Sequence, residues 1–102
     1  MKTKRDEKSY TVEKTLHTLL VLEALEGSLK TPMSIKQVLD RVNTGVPIEK
    51  QIGYDAIRNI LLTLKFKNWA AQNEKGEWMF GSRLLFFSDK FNETCLAMRA
   101  IR

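Results

Sequence analysis

The stretch AIRNILLTLKFKNWAAQNEKGEWMFG, residues 56–81, leaves this chain few folds to choose from. Ile57, Ile60, Leu61 and Leu64 are spaced so that all four fall on one side of an α-helix. Glycine is poor inside a helix, so this one is expected to begin at Gly53 or Tyr54. It should run to about Lys67, where Asn68 suits a left-handed C-terminal cap. The apolar period then changes. Trp69 to Gln72 and Glu77 to Phe80 read as two short strands. Asn73, Glu74, Lys75 and Gly76 have the composition of a hairpin turn, with Gly76 able to take positive φ. Trp69, Ala71, Trp78 and Phe80 are expected to point toward the core.

The remaining segments surround this unit with helices. A first helix is expected from Thr11 to Glu26, with Thr11 as cap and Glu13 favourably placed in the first turn. Its core face reads as Val12, Leu16, Leu19, Leu20 and Leu25, widened by Val21 and Leu22, and Gly27 is a natural stop. Pro32 blocks further helix, and Met33 suits a minimal strand. Ser34 and Gln37 fit a capping box that opens a second helix, with Ile35, Val38, Leu39 and Val42 on its apolar face. Asn43, Gly45 and Pro47 end it. Ser82 to Arg102 contains no proline or glycine. There Leu84, Phe87, Phe91, Cys95 and Met98 recur at helical spacing, and Leu85, Phe86, Leu96 and Ile101 add a second apolar edge.

The order is therefore helix, minimal strand, helix, helix, hairpin, helix. This predicts a mainly α protein with a small β-hairpin: a winged helix-turn-helix followed by a C-terminal helix. Residues 1–9 read as a flexible basic arm, 10–81 as the winged domain, and 82–102 as a linker or dimerisation helix.

Three stretches then resemble a known family: YTVEKTLHTLLVLEAL (10–25), AIRNILLTLKFKNWA (56–70) and WMFGSRLLFF (78–87). They are similar to the DNA-binding domain of the IclR-type transcriptional regulators. In that family the wing is followed by a Tyr-x-Leu-Gly-x-x-Leu-Leu pattern, matched here by Trp78, Phe80, Gly81, Leu84 and Leu85. The resemblance covers about residues 9–90 and implies a regulator whose third helix lies in the major groove of double-stranded DNA. In 102 residues there is no room for the family's small-molecule effector domain. A small stand-alone regulator of a phage or other mobile element is expected, with a fragment of a longer regulator as the alternative. The segment NTGVPIEKQIGY is longer than the family's usual turn, and the wing carries Glu74 and Glu77.

Within this frame Arg58 and Asn59 are the candidate base readers, because arginine pairs with guanine and asparagine with adenine in the major groove. Tyr54 and Asp55 lie one turn earlier. Lys50 and Gln51 precede the helix, and Lys65, Lys67 and Arg83 are candidate phosphate contacts. A net charge of +5 leans toward a polyanion, although the charge is spread along the chain. Leu19, Leu22, Phe86, Phe91, Cys95, Met98 and Ile101 exceed what one small core covers, so a homodimer is expected. The competing reading is a winged-helix module that binds a protein, an antagonist or assembly factor, and the acidic wing favours it.

Other classes find little support. Cys95 is the single cysteine, so no internal disulfide can form, and with His17 alone it makes no metal site. His17 reads as structural. No phosphate loop, paired carboxylates or nucleophile triad is present, so neither an enzyme nor a cofactor is expected. No apolar run approaches the length of a membrane span, and no hydrophobic signal segment opens the chain. A reducing, cytoplasmic setting is expected.

Overall fold

A computed structural model describes the backbone of residues 11–100 and the side chains of residues 11–94. Its elements are α1 (Glu13–Ala24), α2 (Ile35–Asn43), α3 (Tyr54–Phe66), β1 (Ala70–Gln72), β2 (Trp78–Phe80) and α4 (Ser82–Ala100). Tighter 3₁₀ turns occupy Leu25–Leu29 and Ile48–Lys50. The fold is a mainly helical winged helix-turn-helix with a C-terminal helix. β1 and β2 pair antiparallel, with Ala70 opposite Phe80 and Gln72 opposite Trp78. Met33 is the expected minimal strand: its N–H donates to Trp78 O at 2.9 Å and its carbonyl accepts from Trp78 N at 2.6 Å. The expected arm, residues 1–9, lies outside the described residues.

The core is built from Val21, Ala24 and Leu25 of the first helical segment, Met33, Val38, Ile52, then Ile57, Leu61 and Leu64 of α3, and Ala70 and Trp78 of the hairpin. Local signals explain most boundaries. Ser34 Oγ accepts from Gln37 N at 3.2 Å while Gln37 Oε1 accepts from Ser34 N at 2.8 Å, completing the capping box of α2. Gly53 caps α3, and Asn68 ends it at φ 65°. Gly76 takes φ 81° in the hairpin turn.

Four expectations need correction. The first helix is rotated from its expected setting. Val12, Leu16, Leu19 and Leu20 are 62%, 43%, 50% and 45% exposed, while Val21, Ala24 and Leu25 are buried. The buried stripe continues back through half-buried His17 and Thr18. Small Ala24 lets the helix approach its neighbours closely, which bulky leucines in its place would prevent. The cap position is Val12, with no side-chain cap bond, not Thr11. Gly27 is no left-handed stop; it lies within the Leu25–Leu29 turn. A Cβ there would sit 3.0 Å from both Arg41 Nη1 and Met33 Sδ. Finally, Ala70 rather than Ala71 is the buried alanine of β1, because Ala70 shares the core face with its partner Phe80.

The joint between hairpin and α4 is tight. Gly81 N donates to Trp69 O at 2.9 Å and Arg83 N to Asn68 O at 3.0 Å. A Cβ on Gly81 would lie 2.2 Å from Asn68 O. Among the described side chains of α4, those of the first turns dock: Leu84 is half-buried and the Phe87 ring stacks on Trp69 with centroids 5.4 Å apart. From Leu85 to Thr94 every residue is exposed. Among the described residues, no helix is long and apolar enough to cross a membrane.

Candidate nucleic-acid interface

The segment between α2 and α3 is long but closed. Gly45 turns the chain at φ 76°, and Ile48–Lys50 forms a single 3₁₀ turn. Ile52 then plugs into the core at 7% exposure. The Asn43 side chain holds both backbone groups of Ile52: Oδ1 accepts from Ile52 N and Nδ2 donates to Ile52 O, each at 2.9 Å. One amide at the end of α2 thus fixes where α3 begins. Composition alone gives no such role to an asparagine, which reads first as a helix breaker.

With Ile57, Leu61 and Leu64 buried, α3 presents Tyr54, Asp55, Arg58 and Asn59 outward, all exposed. Arg58 and Asn59 are neighbours, about 100° apart around the helix. Asn59 lies on the α1 side, where it shares a shallow pocket with Lys14, His17, Thr18, Ala56 and Ile60. Lys50 is exposed at the end of the 3₁₀ turn. Among the described residues, the ion pairs are Arg41 with Glu26 at 3.8 Å and Lys90 with Glu93 at 3.7 Å. Neither Lys50 nor Arg58 shares a carboxylate there, so both cations stand available to an anionic partner. Gln51 is partly committed, its Nε2 donating to Val46 O at 2.9 Å.

The other candidate phosphate contacts divide. Lys65 Nζ donates to Gln72 Oε1 at 2.9 Å, and Gln72 Nε2 donates on to Gly76 O at 3.1 Å. This run ties α3 to the wing. Lys67 and Arg83 line a cleft with Phe66, Asn68, Trp69 and Phe87 at the far end of α3, a distance of about 20 Å from Tyr54. There the Arg83 guanidinium lies 5.4 and 5.1 Å from the ring centroids of Phe86 and Phe87. Arg83 therefore belongs with the aromatic side of α4 and not with the first turns of α3.

The wing is less acidic at its tip than its composition suggests. Asn73 Nδ2 donates to Glu77 Oε1 at 2.9 Å, and Asn73 Oδ1 accepts from Lys75 N and Glu77 N. Glu77 is half-buried by this arrangement, which leaves Glu74 and Lys75 exposed at the turn. The sequence reading missed one feature of α3. Leu62 and Phe66, one turn apart on the outward side, are 46% and 84% exposed. Their spacing from Ile57 and Leu61 signals it.

Of the expected dimerisation residues, Leu19, Phe86 and Phe91 are exposed, and Leu22 is half-buried against the core. The side chains of Cys95 and Met98, and Ile101 altogether, lie outside the described residues. Among the described residues there is no group of three or more His, Cys, Asp or Glu able to hold a metal ion. No family model, curated protein or solved structure matches the chain.

Proposed function

We propose that this protein is a sequence-specific regulator that binds double-stranded DNA, with the first turns of α3 in the major groove. One observation carries the reading. A three-helix unit presents a polar helix start, Tyr54 to Asn59, on an anchor that leaves Lys50 and Arg58 without an ion pair among the described residues. The major groove admits one α-helix, and bidentate Arg and Asn side chains distinguish guanine and adenine there. Lys50 supplies a phosphate contact beside the helix start. The resemblance to the IclR-type DNA-binding domain supports the same docking. In this reading the protein acts as a homodimer in the cytoplasm and presents two α3 helices to paired half-sites. It regulates by occupying its site.

Selection of bound sequences from a random duplex pool tests this, followed by titration of the winner against salt. A specific site should emerge, and affinity should fall steeply as salt rises. A pool without enrichment, together with salt-independent binding, excludes the reading.

Exposed Leu62 and Phe66 favour a second reading, a protein partner on the same helix. Leu62→Ser separates the two. It leaves selected-site affinity nearly unchanged if the first turns of α3 read DNA.

A further inference from the structure

Two rows of apolar side chains on different helices are left partly or largely exposed, although Phe87 in the second keeps one ring face on Trp69. On α1 the row is Val12, Leu16, Leu19 and Leu20. Glu23 extends it one turn beyond Leu19. The helix carries one lysine and no arginine, and Lys14 lies on the side that meets α3. The row is therefore acidic at its C-terminal end, and Glu23 has no ion pair among the described residues. On α4 the row is Phe87 and Phe91, the latter 68% exposed, and it starts beside Arg83. Lys90 lies along the same edge, its Nζ 5.9 Å from the Phe86 centroid but paired with Glu93 at 3.7 Å, so the charge of the row rests on Arg83. Asp89 and Glu93 stand two residues to either side of Phe91, about 160° around the helix from it. The α4 row is therefore basic at its N-terminal end.

We propose that the occupant of each row is the other row on a second copy of this chain: α1 of one protomer packs antiparallel against α4 of its partner, and the reverse. The inference rests on the dimeric reading above and specifies its geometry. Three observations converge on it. The charges complement, since Glu23 meets the partner's Arg83 when the helices run antiparallel. The spacing then agrees, since Leu19 falls at the partner's Phe87 and Leu16 at the partner's Phe91. The area is sufficient too. The exposed parts of the six apolar residues amount to roughly 600 Å² per copy, one partner's share at the lower end of specific interfaces. Pairing α1 with its own counterpart does less well. It sets Glu23 against Val12 and leaves the aromatic row of α4 bare. The crossed arrangement is self-complementary, as a two-fold dimer requires. Within one chain α4 does not meet this need, because both rows are exposed.

Sedimentation and disulfide trapping test the geometry. The wild-type chain should sediment as a dimer at high micromolar concentration. Glu23→Arg should weaken the dimer about tenfold or more, and adding Arg83→Glu to the same chain should restore most of the loss. For trapping, Leu16→Cys and Phe91→Cys are placed on separate chains, each also carrying Cys95→Ser. Mixed under mild oxidation, the two chains should form a cross-linked heterodimer, while neither chain cross-links alone. Leu16 and Phe91 are exposed, and unchanged melting temperatures verify that the variants fold. A wild-type monomer overturns both the dimeric reading and this geometry. A wild-type dimer whose affinity ignores Glu23→Arg, with cross-links only between like chains, leaves the dimer standing and overturns the crossed pairing.

Discussion

Replacing Asn43 by alanine tests the idea that one side chain sets the start of α3. Its amide makes two hydrogen bonds of 2.9 Å to the N–H and carbonyl of Ile52, a residue only 7% exposed. A net hydrogen bond contributes about 0.5–1.5 kcal/mol, and a buried backbone group left unpaired costs more than the mean. The two together predict a loss of about 2 kcal/mol. For a domain of this size that lowers the melting temperature by roughly 10 °C. Thr44 next door is the control: its hydroxyl donates to Asp40 O at 2.7 Å on an exposed surface, so Thr44→Ala should stay within about 0.5 kcal/mol of wild type. Urea unfolding followed by tryptophan fluorescence reads both, with buried Trp78 as reporter. The slope against urea should not change, because the same core unfolds. An Asn43→Ala protein as stable as Thr44→Ala refutes the anchoring argument.

Three further outcomes are expected. Arg58→Ala and Asn59→Ala should each lose about 1–3 kcal/mol of affinity for a selected duplex at unchanged melting temperature, since both positions are exposed. Gly81→Ala should lower stability by about 2–4 kcal/mol in urea, because the new Cβ meets the backbone of Asn68 and Ala70, which cannot rotate away. Ser34→Ala should lose about 1 kcal/mol in the same assay through the capping box.

Much of this fold was legible where the sequence permitted a single answer. In α3 the apolar positions are confined to one stripe, so the helix, its buried side and the Asn68 cap could be read directly. The Ser34 capping box and the Gly76 turn are local chemistry of the same kind. The first helix was legible as a helix but not in its rotation. Its residues are apolar almost all round, and the stripe that is buried runs through His17 and Thr18, which pattern reading avoids. The choice is made by packing against α2 and α3, where Ala24 and Gly27 permit close approach. In the hairpin a shift of one residue exchanged Ala70 for Ala71, as the two-residue period of a strand dictates. On α3 the exposure of Arg58 and Asn59 was legible from helical spacing. Asn43 was not, since it acts nine residues away in sequence. Arg83 was placed by adjacency to the wing, but its guanidinium turns to the rings of α4.

The crowding at Gly81 has a mechanical consequence. With no space for a Cβ, and with backbone bonds joining Gly81 to Trp69 and Arg83 to Asn68, the elbow at the root of α4 has no slack. Asn68 is also the residue that terminates α3, so the two helices turn as one rigid body. A helix of this length is a lever of about 28 Å. A tilt of about 10° in how α4 seats on a partner moves its far end by about 5 Å over this lever arm. In a pair of such molecules, the seating angle of α4 would set the separation of the two α3 helices, and so act as the gauge for the span between them.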